Sequence, residues 1–434
     1  MGNFLVRKNQ TLAGLGQWPL LVIFSLLFVG ISVAARAAEV TMLSPPTLAQ
    51  SHLSRLTSDS NGRLWLSWVS TSDTSDEAPS EASSETSKES ISRLHYAYYA
   101  EDRWSAPRQI AQGSDWFVNW ADFPFLSVHD EGMVAHWLRK RAAGTYDYDV
   151  VASFYSAAED VWGPPITIHK DGVSAEHGFV SMLPMPQGRT FIAWLDGRNT
   201  APVEMAHAAA GHVMPPGMTL RGGIFARQGE TLQEWQLDDL TCDCCQTSVA
   251  MAAAGPIVVY RDRTVDEIRD IYITRLVDGR WTDAAPVHED NWQVAGCPVN
   301  GPAVVAQGQH VAVAWFSAKD DQPHVKLAFS VDGGASFGLP IVVDRGETNG
   351  RVSLALMASG DVAVSWLTTK GPAATIKIAR YNLQGELRDS VNVATTRASR
   401  RSGFPVLASV GDDLYLTWTD LANDRQVKVA QISF

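Results

Sequence analysis

The chain has 434 residues, of which 45% are hydrophobic and 15 are Trp, and its formal net charge is −12 at pH 7. That apolar content is too high for a disordered chain, and charged residues interrupt it too evenly for a bundle of membrane spans. The acidic balance excludes nucleic acid as a partner, because a phosphate backbone demands clustered Lys and Arg.

The N-terminus reads as a secretory signal over residues 1–37. Arg7 and Lys8 precede an apolar run from Trp18 to Val33, and Ala35-Arg36-Ala37 forms a small-residue cleavage site. An uncleaved anchor is the alternative, since the run approaches bilayer-spanning length, and only then is a membrane a partner. In either case residues 38–434 are placed in the periplasm or secreted. Residues 71–90 (TSDTSDEAPSEASSETSKES) are Ser-rich, acidic and free of large apolar side chains, so they read as a disordered loop between two strands.

From there the chain repeats. Seven segments open on Gly, alternate apolar residues and close on an aromatic: Gly62–Trp68, Gly132–Trp137, Gly188–Trp194, Gly255–Tyr260, Gly308–Trp315, Gly360–Trp366 and Gly411–Trp418. Period-two alternation marks half-buried or sandwiched strands. Most are followed by a further strand and an acidic turn ahead of an aromatic, as at Asp102-Arg103-Trp104, Asp160-Val161-Trp162 and Asp278-Gly279-Arg280-Trp281. A period of about 55 residues with four short strands describes the blades of an all-β propeller built from four-stranded antiparallel sheets. The closing aromatics predict seven blades, the last completed by a strand near Val40 to Leu43. Six is the count if residues 201–240, which lack the pattern, are an elaboration.

In such a ring the loops after each second strand and those between blades open on one face, where propellers gather function. These loops carry Arg139, Asp196, Arg198, Arg261, Asp262 and Arg351, candidates for binding an acidic glycan or a small carboxylate ligand. A guanidinium fork meets both oxygens of a carboxylate, although each Arg is also placed to pair with an adjacent Asp. Asp122 and Glu176 are candidate acid or base groups, with nearby Trp116, Trp120 and Phe123 drying the site and raising the carboxyl pKa. Tyr146 is the candidate nucleophile, with Tyr148 beside it in sequence; either also suits a wall-forming aromatic.

The same face receives all four cysteines: Cys242, Cys244, Cys245 and Cys297. Disulfides from Cys297 to a member of the Cys242–Cys245 group are one reading in an exported chain. The others are a soft metal, zinc or copper(I), and a redox-active arrangement; His177 is the histidine placed to join a metal shell. The run is not matched to a zinc knuckle or haem motif, and no cofactor is required by the remaining residues.

Ser330-x-Asp332-x-Gly334-x-x-Phe337 resembles the Asp-box of the bacterial sialidase superfamily, and the turns at Asp102, Asp160 and Asp278 resemble degraded copies. The chain is also similar to sialidase-like proteins carrying Cys242-Asp243-Cys244-Cys245, Tyr260-Arg261-Asp262-Arg263 and Gly296-Cys297-Pro298-Val299-Asn300-Gly301. The resemblance implies an exo-sialidase-like glycoside hydrolase acting on an acidic sugar through three Arg, a Tyr assisted by a Glu, and an Asp. The Arg-Ile-Pro motif that carries the first Arg in sialidases is absent. Two other functions remain open: a non-catalytic glycan- or protein-binding propeller, and a cysteine-thiolate metal or redox protein.

Overall fold

The computed structural model describes residues 38–73, 90–141, 144–200, 217–422 and 425–434. The leader and most of the acidic stretch lie outside these; residues 71–73 and 90 continue the two strands that flank it.

Seven antiparallel sheets follow one another: residues 51–113, 125–167, 177–238, 248–286, 303–345 and 348–397 form blades 1 to 6, and 406–433 with 39–43 form blade 7. Each has four strand positions, with the outermost split into two pieces in blades 1, 2 and 4. The strands Thr219–Phe225 and Thr231–Asp238 complete blade 3, which settles the count at seven. Among the described residues there is no α-helix, and no helix is long and apolar enough to cross a membrane. Blade 7 takes its outer strand from the chain start: Glu39–Leu43 pairs with Gln426–Ser433, Val40 opposite Ile432 and Met42 opposite Ala430.

Each innermost strand lies beside the next, and that of blade 7 returns to that of blade 1. No single core results. The buried apolar residues fall into seven clusters, each between two neighbouring sheets. In every cluster the closing aromatic of one blade packs on the blade before it: Trp137 on blade 1, Trp194 on blade 2, Tyr260 on blade 3, and round to Trp68 on blade 7. An aromatic suits this position because its flat area fills the wedge between twisted sheets. Several polar ends are satisfied locally: Trp194 Nε1 donates to Asp196 at 2.9 Å and Trp315 Nε1 to Asp290 at 2.7 Å.

Small hydroxyls near the axis tie blades together. Ser248 Oγ accepts from Val304 N at 3.1 Å, Ser353 Oγ accepts from Leu407 N at 3.0 Å, and Thr417 Oγ1 donates to Ser54 Oγ at 2.8 Å across the closure. A narrow axial cavity of about 170 Å³ remains, lined from around the ring by Arg55, Ser181, Ser248, Val304, Ser353 and Leu407.

The Asp-box lies in the turn between the third and outer strands of blade 5. Ser330 Oγ donates to Asp332 at 2.7 Å and accepts from Gly334 N at 2.9 Å, while Phe337 packs into the cluster shared with blade 4. These turns occupy the face opposite the loops that follow each second strand.

Closure by the N-terminal strand yields a test. Deleting residues 38–43 opens the edge of blade 7 and removes about five residues of ladder, at roughly 0.5–1.5 kcal/mol per hydrogen bond. The shortened chain should lose about 3 kcal/mol or more in denaturant unfolding; an unchanged midpoint would mean that this strand does not fasten the ring.

Candidate functional site

On the upper face, which carries the inter-blade loops, the inner strands of blades 1, 3 and 6 begin with register shifts. Leu53, Phe179 and Arg351 there adopt left-handed φ of 52°, 52° and 53°. Such bulges re-aim backbone and side chains out of the ladder. At Phe179 the freed N–H donates to Asp122 Oδ1 at 2.9 Å.

Asp122 begins a row of three. Tyr148 Oη lies 3.1 Å from Asp122 Oδ2 and 2.6 Å from Glu176 Oε1. A phenol has one hydrogen, and both neighbours are carboxyl oxygens. The shorter contact takes that hydrogen, so the contact with Asp122 requires Asp122 to be protonated and to donate to Tyr148. The row therefore runs from the Asp122 acid through the Tyr148 hydroxyl to the Glu176 carboxylate. Electrostatics agree: burial pushes the Asp122 carboxyl up to about 8, reinforced by the Glu176 charge. Burial also pushes Glu176 up to about 7, with Asp243 adding to it, and holds the Tyr148 phenol well above its usual range.

Asp122 and Tyr148 are buried while Glu176 is half-buried, so the row leads outward. Phe117 stacks on the Tyr148 ring at 4.2 Å and 12°. Glu176 is fixed through its backbone, whose carbonyl accepts from Gly197 N at 2.7 Å. Gly178 is required beside this row: a Cβ there would stand 1.8 Å from Asp122 Oδ2.

Tyr146 does not join Asp122 and Glu176. It is exposed, tilted against Phe117 at 6.2 Å, and the tyrosine in the row is Tyr148.

The structure does not bring the arginines into one clamp. Arg261 is buried and donates to three backbone carbonyls, those of Asn300 (2.8 and 3.0 Å), Arg269 (2.6 Å) and Phe316 (2.7 Å). Arg351 is buried too, donating to the carbonyls of Ser399 and Gly403 and to Ser402 Oγ, with Trp120 beneath it at 4.9 Å. Arg261 spends four N–H bonds on carbonyls, and the Arg351 bonds all run from Nη1 to the segment at Ser399–Gly403, so each group is directed at backbone of its own surroundings and not at a shared ligand. Arg198 grips Asp196 with Nε and Nη2, both at 2.7 Å, and Arg139 reaches Thr167 Oγ1 at 3.4 Å. Asp262 is buried between blades 3 and 4, and that burial, with the charge of Asp238, raises its carboxyl to about 7.

The cysteines do converge. Cys242 Sγ lies 3.2 Å from Cys245 Sγ and 3.9 Å from Cys244 Sγ, and Cys297 stands beside Cys244. All four are free, so the expected disulfides are absent; a disulfide requires sulfurs about 2.05 Å apart. Counted along the chain, Cys242 and Cys245 are in fact a Cys-x-x-Cys pair, a spacing passed over in reading the sequence. Cys242 and Cys245 are buried, Cys244 is intermediate and Cys297 is exposed. Hydrogen bonds from the Cys244 and Cys245 thiols hold Cys242 well below the usual thiol range, helped by the positive charges of Arg261 and Arg269. Arg269 Nη1 lies 3.3 Å from the Cys242 sulfur, and its Nη2 meets Glu267 at 2.7 Å. Arg263 links Glu267 at 2.6 Å to Asp243 at 3.4 Å. The first three sulfurs have the mutual spacing of a metal-ligand group. In the sequence Arg263 stands out only within the Tyr260–Arg263 run, and nothing there singles out Glu267 or Arg269.

No family model matches the chain, and no curated protein matches it. Among solved structures it is similar to a protein of unknown function from Dyadobacter fermentans, at 10% identity and a TM-score of 0.48, covering 92% of this chain and 99% of that one. It is similar to the NanB sialidase of Streptococcus pneumoniae at 11% identity and a TM-score of 0.45, covering 91% and 70%. It is also similar to the endosialidase of phage phi92 at 9% identity and a TM-score of 0.47, covering 91% and 68%.

The Asp122 acid has a consequence for stability. A carboxyl whose pKa is raised on folding keeps a proton that the unfolded chain releases, so stability falls as pH rises from about 4 to about 8. Asp122→Asn keeps a donor toward Tyr148 but cannot ionise. The variant should lose part of that pH dependence and be more stable than the parent at pH 8, by a few kcal/mol in chemical denaturation. Parallel stability profiles across this range would mean that Asp122 is ionised in the folded protein.

Proposed function

We propose that the chain is an exported, periplasmic or secreted metal-binding propeller whose upper face holds a soft, thiophilic ion, zinc or copper(I), on Cys242, Cys244, Cys245 and Cys297. The convergence of four thiols from two inter-blade loops carries this reading. Sulfurs around a tetrahedral zinc with bonds of about 2.3 Å stand about 3.8 Å apart, and the distances of 3.2 and 3.9 Å lie on either side of that value. Soft thiolates select these two ions over hard cations. Arg261 and Arg269 favour the thiolate that a metal needs, and Glu267 orients Arg269, the arrangement expected of an outer shell. Cys297 is exposed and gives an ion a route to the buried thiols, which suits exchange with a soluble carrier.

The test is anaerobic titration of the reduced, metal-free chain with zinc and with copper(I). One equivalent should bind at this cluster and protect the four thiols from alkylation. Cys242→Ser should weaken binding by more than the roughly 10–100-fold typical of losing an outer-shell partner. Four alkylatable thiols at saturating metal, or two disulfides in the exported protein, would remove the reading.

The Asp122, Tyr148 and Glu176 row favours a second reading on the same face, a sialidase-like glycoside hydrolase acting on an acidic sugar. Tyr148 is then the nucleophile, Glu176 its base and Asp122 the acid, with the half-exposed Arg198 left to meet a sugar carboxylate. Under this reading the mature chain turns over a member of a glycoside panel, and Tyr148→Phe and Glu176→Gln each cost about 10²-fold or more. Binding of a glycan without turnover would reduce it to a recognition propeller, and neither binding nor turnover would discard it.

A further inference from the structure

Behind the Tyr148 row lies a second cluster. His169 and His177 stack with ring centroids 3.8 Å apart and planes 8° apart, and both are buried. Each Nδ1 faces an acceptor: His169 Nδ1 is 2.7 Å from Asp171 Oδ2, and His177 Nδ1 is 3.1 and 3.3 Å from the carbonyls of Ala175 and Tyr148. Carboxylates and carbonyls only accept, so both Nδ1 atoms carry the hydrogen and both Nε2 atoms present lone pairs in the neutral rings. Those lone pairs have no hydrogen-bond partner. They face carboxylate oxygens: His177 Nε2 lies 3.3 Å from Asp171 Oδ2 and 3.6 Å from Asp196 Oδ1, and His169 Nε2 lies 3.6 Å from Asp149 Oδ1.

Lone pairs facing one another across such distances are relieved by positive charge between them, either a proton on Nε2 or a metal ion. Two ligands of a tetrahedral ion with bonds of about 2.1 Å stand about 3.4 Å apart, which matches these separations. His177, Asp171 and Asp196 offer ligand atoms all within 4.8 Å of one another, as do Asp149, His169 and His177. Fixing of Nδ1 by a carboxylate or carbonyl is also how metal-binding histidines are oriented.

Positive groups already reach the cluster. Arg198 Nη2 is 2.7 Å from Asp196 and 3.4 Å from Asp171, while Glu234 waits at 3.9 Å on its outer side. Arg141 meets Asp149 at 3.3 Å. Arg221 already meets Glu234 at 3.1 Å, so Asp149, Asp171, Asp196 and Glu234 face three guanidinium groups, which leaves a local excess of one negative charge to attract a cation.

We propose that this pocket binds a divalent transition-metal ion of the zinc class, with His177 Nε2, Asp171 and Asp196 as ligands and His169 and Asp149 closing its far side. Arg198 holds the place of the ion in its absence and moves toward Glu234 when the ion arrives. The ligands are nitrogen and oxygen, so this site is chemically distinct from the thiol cluster and stands whether or not that cluster binds metal.

Zinc titration of a variant with all four cysteines changed to serine tests the proposal. One equivalent should bind, with an X-ray absorption spectrum showing imidazole and oxygen but no sulfur. Arg198→Gln in that background should tighten binding by about tenfold or more, because it removes a positive charge that competes with the ion for Asp171 and Asp196, and His177→Gln should abolish it. Because Arg198 is half-exposed, its variant separates the outcomes even where the His177 change prevents folding. A purely structural Arg, Asp and His network would show Arg198→Gln losing stability and gaining no zinc, which overturns the proposal. If the serine variant does not fold, cobalt(II) titration of the unaltered chain decides: a bound equivalent without a sulfur-to-metal charge-transfer band supports the site, and its absence refutes it.

Discussion

Everything on the upper face depends on one repeated contact, the closing aromatic of each second strand lodged against the blade before it. A sheet of four short strands has two apolar faces and cannot bury either alone, so each blade is stable only between two neighbours. Seven such contacts close on themselves because Trp68 meets blade 7 while Trp418 meets blade 6. Closure is what turns residues far apart in the chain into neighbours: Ser54 and Thr417 share a hydrogen bond across almost the whole sequence. The inter-blade loops inherit this rigidity, which suits them to fixing chemistry to within a fraction of an ångström.

The alternation of strand residues then divides the functional groups. Tyr148 and Glu176 project to one side of their backbones and meet each other, with Tyr148 reaching Asp122, whereas the next residues along, Asp149 and His177, project to the other and meet His169, Asp171 and Asp196. The two clusters are back to back across the same two segments, joined by the hydrogen bond from His177 Nδ1 to the Tyr148 carbonyl. A cation, or the Arg198 guanidinium in its place, therefore acts on the backbone that positions the phenol. Stacking on Phe117 holds the Tyr148 ring from the other side.

Sequence reading succeeded where the signal is periodic and failed where partners are backbone atoms. The blades were legible because glycine turns and closing aromatics recur, and the fastening strand near Val40 was legible because the last blade was one strand short. The thiol cluster was legible because inter-blade loops share a face. The roles of Arg261 and Arg351 were not: their partners are carbonyls of Asn300, Phe316, Ser399 and Gly403, and a carbonyl leaves no mark on residue type. Choosing between Tyr146 and Tyr148 required the phase of the strand, which begins at Tyr148 opposite Lys140. Asp149 and Asp171 carried no signal beyond the His169-x-Asp171 spacing, since the residues that complete their cluster come from separate loops and strands.

The buried arginines find their use in the thiol site. Asn300 takes two N–H bonds from Arg261 on its carbonyl and accepts from Arg351 N on its Oδ1 at 2.7 Å, so guanidinium and backbone from blades 4 and 6 fix the loop that carries Cys297. The next residue closes the other side: Gln246 Oε1 accepts from Gly301 N at 3.2 Å, and Gln246 directly follows Cys245. A Cβ on Gly301 would fall 2.1 Å from the Gln246 carbonyl, so only glycine lets the two cysteine loops approach this closely. The spacing between the exposed thiol and the three others is thus set by protein contacts that exist without any ligand. Arg261 is a positioning residue in this sense. Its charge favours the Cys242 thiolate while its hydrogen bonds hold Cys297 in reach, and preorganisation of that kind spares an arriving ion the cost of ordering the loops.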